Sequence, residues 1–171
     1  RSFGVPIEAI AEALHTFRLD AHRIEVVAVS GGITWIDDSK ATNPHAANAS
    51  LASFESIVWI VGGLLKGVDI SDLVSRHASK LVAAIVIGKD REAVVSALEA
   101  KAPNVPVIQV QSDSGSAVMV EAVAAARGFA RDGDVVLLAP AAASMDQFKD
   151  YADRGHSFAV AARSLIGGVD D

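Results

Sequence analysis

Residues 56–87 read SIVWIVGGLLKGVDISDLVSRHASKLVAAIVI. Two continuous apolar runs, 56–61 and 81–87, are separated by a glycine-bearing turn and a helical pattern over 70–79. Apolar runs without alternation suit strands covered on both faces, and a helix between two such strands is the crossover of a parallel sheet. Working outward, the same alternation begins at Ile24 and continues to the C-terminal end. The pattern predicts strands over 25–29, 33–37, 56–61, 81–87, 105–110 and 134–138. It predicts helices over 44–53, 70–79, 91–100, 116–130 and 157–165. Ser30-Gly31-Gly32 suits a hairpin, so the first two strands are expected to form an antiparallel pair at the sheet edge. The fold class expected is α/β: a Rossmann-like, doubly wound, mostly parallel sheet with an antiparallel edge hairpin and helices on both faces.

Upstream of the sheet, Pro6 suits a first helical turn, and Ile7, Ile10, Ala11, Leu14 and Phe17 recur on one helical face. A helix is expected over 6–17. The short polar stretch 18–23 (RLDAHR) then marks a boundary before the β-rich sequence, dividing the chain into residues 1–21 and 22–171.

Composition bounds the function. The chain has 171 residues, 51% of them hydrophobic and 5% aromatic, with 15 basic and 21 acidic side chains giving a net charge of −6. That length suits one compact domain able to bury roughly 70% of its unfolded surface, and the composition excludes intrinsic disorder. No basic run interleaved with aromatics is present, so no nucleic-acid footprint is expected. No apolar run approaches the roughly 20 residues of a spanning helix, so no membrane partner is expected either. Cysteine is absent, which removes disulfides, thiolate metal sites and cysteine nucleophiles and leaves the cytoplasm as the default location.

In open parallel sheets, ligands bind beyond the carboxyl ends of the strands. Three of the loops there are rich in chemistry. Residues 37–44 (DDSKATNP) contain Asn43-Pro44, a plain helix cap and first-turn proline. Lys40 is different, because a cation beside the positive end of a helix is unfavourable unless an anion binds there. Residues 62–67 (GGLLKG) place Lys66 between glycines, which let backbone amides approach a ligand, although the spacing fails the phosphate-loop pattern G-x-x-x-x-G-K-[ST]. On this pattern Lys66 fits a solvated lysine as well as a functional one. Residues 139–148 (APAAASMDQF) carry Ser144, expected to cap a short helix and expose amides. Lys149 and Arg154 fit solvated helix positions, and Tyr151 suits core or site equally. The five histidines lack zinc-site spacing, and neither G-x-S-x-G nor G-x-G-x-x-G occurs, so no metal ligand and no catalytic residue is assigned.

Taken together, residues 22–25 (HRIE), 35–43 (WIDDSKATN), Gly62-Gly63 with Lys66, 141–149 (AAASMDQFK) and Arg154-Gly155 resemble the C-terminal domain of the Mur ligases. The DSKATN run is similar to the branch that adds D-glutamate, and the likeness covers nearly all of 20–167. The resemblance implies a cytoplasmic, ATP-dependent step of peptidoglycan synthesis. In it a carboxylate of UDP-N-acetylmuramoyl-L-alanine is phosphorylated, and the amine of D-glutamate attacks the acyl phosphate. By match of motif, Lys40, Thr42, Lys66, Ser144 and the backbone at Met145 would hold the two D-glutamate carboxylates. Tyr151 would stand beside them, where a phenylalanine is often found. Arg23 would reach the ATP phosphates and Asp38 the ribose hydroxyls. Residues 1–21 would be the last helix and hinge of a preceding ATPase domain, with the Mg2+ ligands mainly outside this chain. The chain alone would then lack ligase activity and is expected to be monomeric. Two alternatives stay open: a Mur or folylpolyglutamate ligase domain that adds another amino acid, or a non-catalytic anion- or nucleotide-binding module.

Overall fold

The computed structural model describes residues 4–16 and 20–167. The six expected strands form one sheet: β1 (Glu25–Ser30), β2 (Ile33–Asp37), β3 (Ile57–Gly62), β4 (Leu81–Ile87), β5 (Val107–Gln109) and β6 (Val135–Leu138), in the order β1-β2-β6-β3-β4-β5. β1 and β2 pair antiparallel at the edge, and the other neighbours pair parallel. The helices are α1 (Ile7–Thr16), α2 (Pro44–Ala52), α3 (Ser71–His77), α4 (Arg91–Lys101), α5 (Ser116–Phe129) and α6 (Tyr151–Gly167). Phe17, expected to end the first helix, lies outside the described residues.

Two apolar cores flank the sheet, as the uninterrupted strands require. On one face Trp35, Ile60 and Ile85 pack against Val118, Ala122 and Phe158 of α5 and α6. On the other, Trp59, Val61 and Val86 pack against Leu51, Val74 and Leu98 of α2, α3 and α4. Alternate residues of a strand point to opposite faces, so β3 supplies both cores at once.

The order of the strands positions the site. β3 leads outward to β4, while β6 is inserted between β2 and β3 and leads back through α6 toward β1. The winding of the chain therefore reverses between the parallel strands β6 and β3, and a crevice is expected beyond the ends of those strands. The three chemically rich loops follow β2, β6 and β3, three neighbours in space.

Two expectations are corrected. α6 begins at Tyr151, six residues before the expected start at 157, because Asp150 accepts the Asp153 amide at 2.8 Å and caps it. Ser144 caps no helix. Its carbonyl accepts from the amides of Gln147 and Phe148, and the segment stops after that single turn.

His77 supplies a first testable consequence. It is buried, its Nε2 pairs with Asn48 Oδ1 at 3.0 Å, and its Nδ1 has no partner among the described residues. Asn48 Oδ1 can only accept, so Nε2 carries the proton, and protonating Nδ1 would bury an unanswered donor. Burial, aided by Lys80 and Arg76, lowers the pKa below its usual 6.5. A folded value below the unfolded one means that the unfolded chain binds more protons, so this contribution to stability is intact above about pH 6.5 and lost as pH falls. The melting temperature of the native chain is expected to drop more between pH 7.5 and 5 than that of His77→Gln; parallel slopes would remove His77 as the cause.

Candidate functional site

Backbone bonds tie the three loops into one floor. The Ala141 amide donates to Ala41 O at 3.0 Å, and the Gly62 amide donates to Pro140 O at 2.9 Å. Leu64 and Ala143 exchange a pair of bonds, a short antiparallel bridge between the β3 and β6 loops. Trp59 Nε1 donates to Ala139 O at 2.8 Å from within the core. Gln147 reaches the next two strands, accepting from the Gly88 amide at 2.7 Å and donating to Ser112 O at 3.3 Å. Asp146 accepts from the Lys89 amide at 2.8 Å.

All four non-glycine residues with positive φ among the described residues, His22, Ile24, Lys66 and Ala141, lie at this end of the sheet. Such conformations cost of order 1–3 kcal/mol each and persist where the surroundings hold them. Gly62 and Gly63 permit a closer approach still. A side chain at Gly62 would collide with Ile87 O, and one at Gly63 with Ala143 O.

Arg154 is the floor's central tie, and the expectation that it is a solvated helix residue is wrong. It is fully buried; Nε donates to Ser39 Oγ at 2.9 Å, Nη2 to Ser39 O at 2.9 Å, and Nη1 to Ala142 O at 3.1 Å. One guanidinium thus joins the DSKATN loop to the β6 loop. Burial lowers its pKa to about 10, so it stays charged at neutral pH. Asp146 and, more weakly, the buried Asp37 lie near enough to act as its counter-charges.

The expected ligand residues stand on these loops as follows. Lys40 Nζ is 5.9 Å from the Tyr151 ring centroid and pairs with the exposed carboxylate of Asp20 at 2.6 Å. Thr42 is half-buried beside it. Lys66 is exposed on the β3 loop and Met145 on the β6 loop, while Ser144 is buried. The Leu65–Gly67 turn also borders a cleft of about 800 Å³ lined by Asp69, Lys89, Asp90 and Arg91.

The two residues expected to meet a nucleotide lie at the near edge. Arg23 is exposed, 3.9 Å from Asp20. Asp38 is buried, accepting from the Ile24 amide at 3.3 Å and from the Ser50 hydroxyl, and burial raises its pKa. A carboxylate has about four lone-pair positions. Two remain for a further donor.

One grouping was missed by histidine spacing. His22, Glu25 and Asp37 bring ligand-capable atoms within 4.8 Å of one another. Hydrogen bonds already engage them: His22 Nδ1 lies 2.6 Å from Asp37 Oδ2, Asp37 Oδ1 accepts the Ser39 amide at 2.8 Å, and Glu25 accepts the His22 amide at 3.0 Å.

Comparison with known proteins identifies the family. Residues 22–142 match the family described as Mur ligase, glutamate ligase domain. The chain is 54% identical over its whole length to a protein of Leifsonia xyli named UDP-N-acetylmuramoylalanine–D-glutamate ligase. Over 97% of its length it is 51% identical to a protein of the same name from Mycobacterium avium. It spans 33% and 39% of those relatives. Among solved structures, UDP-N-acetylmuramate-alanine ligase of Thermotoga maritima superposes with a TM-score of 0.63 at 16% identity, over 96% of this chain and 35% of that one. A domain of a Haemophilus ducreyi ligase superposes at 0.55 and 17% identity, over 84% of this chain and 99% of that one. By the family match and the six-stranded fold, the chain belongs to the Mur ligases, as their glutamate ligase domain.

Proposed function

We propose that this chain is the amino-acid-delivering domain of an ATP-dependent ligase that joins D-glutamate to UDP-N-acetylmuramoyl-L-alanine in peptidoglycan synthesis. What supports the reading is that Lys40 and Thr42, Lys66, and Ser144 stand on the loops that follow three neighbouring strands, β2, β3 and β6. A dicarboxylate needs two cations and several donors, and charge-assisted hydrogen bonds contribute about 1.5–3 kcal/mol each. Lys40 already holds a carboxylate, that of Asp20. A substrate carboxylate would take its place. Lys66, Thr42 and Ser144, with the backbone at Met145, would hold the rest of the ligand, and Tyr151 would wall it.

Residues 1–21 would be the end of a preceding ATPase domain, and the 22–171 unit would swing about the following hinge. Closure would bring Arg23 to the phosphates of ATP, set the remaining lone pairs of Asp38 against the ribose, and exclude water from the acyl phosphate. The protein would be a cytoplasmic monomer. Among the described residues no helix is long and apolar enough to cross a membrane. The Mg2+ ligands would lie mainly outside this chain; the His22, Glu25 and Asp37 group is already engaged in hydrogen bonds of its own.

The test is a phosphate-release assay of the complete polypeptide with ATP and UDP-N-acetylmuramoyl-L-alanine, supplying D-glutamate, L-glutamate, L-alanine or a diamino acid. Turnover restricted to D-glutamate is expected. Equal or greater turnover with another amino acid would move the chain to a different branch of the family.

A further inference from the structure

His22 and Asp37 form a dyad that nothing in the reading above uses. Asp37 ends β2 with no exposed surface, and its two oxygens are divided between two N–H donors, the Ser39 amide at 2.8 Å and His22 Nδ1 at 2.6 Å. The room for this bond is made by Gly155 on α6. A Cβ there would collide with both His22 Nδ1 and Asp37 Oδ2 and stand 3.0 Å from Asp37 Oδ1. His22 is further held at φ 62, with its amide on Glu25. Its side chain is 19% exposed, and its ring meets Tyr151 edge-on at 6.3 Å, the same ring that faces Lys40.

Carboxylate oxygens accept only, so Asp37 selects the imidazole tautomer with the proton on Nδ1 and leaves Nε2 with a free lone pair. We propose that Asp37 is a positioning residue that acts through His22, presenting Nε2 as the acceptor for a proton of the amino-acid ammonium group held beside Lys40. This rests on the ligase reading. The proton passes from the ammonium nitrogen to Nε2. The freed nitrogen pair then forms a bond to the acyl-phosphate carbon as the bond from that carbon to the phosphate oxygen breaks; phosphate leaves with those electrons and takes the second proton of that nitrogen, leaving the neutral amide.

Glu25 of β1, Asp38 of the loop after β2 and Arg154 of α6 lie close enough to act on Asp37, and the neutral ring of Tyr151 connects His22 to Lys40, which pairs with Asp20 beside Arg23. Burial raises the Asp37 pKa, while the bonds from His22 and the Ser39 amide act the other way and, with the buried Arg154 guanidinium nearby, favour the carboxylate on which the tautomer depends.

Asparagine at position 37 reverses the polarity. If its oxygen keeps the Ser39 amide, its NH2 faces Nδ1 and forces the proton to Nε2. In the complete polypeptide, Asp37→Asn and His22→Gln are expected to lower kcat about 100-fold, the usual scale of general-base catalysis. The KM for the amino acid should stay unchanged, and the acidic limb of the kcat profile should be lost. Histidine-selective 15N spectra should show His22 Nδ1 protonated and Nε2 bare in the native polypeptide, and the reverse in Asp37→Asn. That spectrum decides the tautomer even where the variant fails to fold. A native spectrum with the proton on Nε2, a native-like pH profile in Asp37→Asn, or a loss confined to KM would overturn the proposal. If the native polypeptide fails to ligate D-glutamate, the ligase reading falls and the proposal with it. Ordinary ligation combined with any of the contrary results removes the proposal alone.

Discussion

Replacing Lys66 by alanine in the complete polypeptide is expected to raise the KM for D-glutamate at least tenfold while leaving that for ATP within twofold. Lys66 is exposed on a turn whose φ of 54 is rare for a side chain, and among the described residues it makes no ion pair that would be lost with it. Truncation therefore removes a cation from the ligand without disturbing the fold. Losing one charge-assisted contact, at about 1.5–3 kcal/mol, corresponds to roughly a ten- to hundredfold change. Steady-state kinetics with each substrate varied in turn checks this. An unchanged KM for the amino acid takes Lys66 out of the site and leaves it a solvated lysine beside the Asp90 cleft.

Arg154→Met should have the larger effect on stability. Methionine fills much of the volume but leaves Ser39 O and Ala142 O without their donor and Asp37 without its buried counter-charge. Removing one partner of a buried charged network costs about 3–5 kcal/mol. At about 2–4 °C per kcal/mol for a domain of this size, the melting temperature should fall by roughly 10 °C. The same variant should also weaken amino-acid binding, since Ser39 precedes Lys40 and Ala142 lies two residues before Ser144. Thermal denaturation with a parallel binding measurement checks both effects. A melting temperature within 2 °C of the native value would mean that the guanidinium is offset by its desolvation and is no structural tie.

These two residues mark what the sequence reveals and what it hides. The place of Lys66 was legible because a turn after a buried strand has a known place in an open parallel sheet, whereas a ligand role for it rests on the family resemblance. The runs at 56–61 and 81–87 became β3 and β4 within a residue for the same reason: strands covered on both faces announce themselves by unbroken apolar sequence. Arg154 was hidden because apolar periodicity cannot register a buried charge. Residues 149–157 (KDYADRGHS) read as a solvated stretch, and α6 therefore appeared to start at 157. The Asp150 and Asp153 pair carried a capping signal that could have found the true start.

The expected helix at Ser144 failed through side-chain competition. Asp146 and Gln147 turn to the Lys89 and Gly88 amides instead of facing solvent from a continuing helix. His22 and Asp37 lie 15 residues apart, and only the hairpin brings them together. Counting back from Ser30-Gly31-Gly32 sets Asp37 opposite Val26, but a bulge between Val26 and Ala28 shifts the register by one, sets Glu25 opposite Asp37 and so brings His22 one residue nearer. That bulge has no signature in the sequence.

The claim on which the account turns is that three loops make one amino-acid site. Its most direct test is an amide-resolved NMR titration of the complete polypeptide, labelled at lysine, threonine, serine and methionine, with D-glutamate and then L-glutamate. Saturable shifts confined to Lys40, Thr42, Lys66, Ser144 and Met145, and stronger for the D enantiomer, are predicted. Saturable shifts that leave those five unmoved and fall at Lys89 beside the Asp90 cleft instead would contradict it.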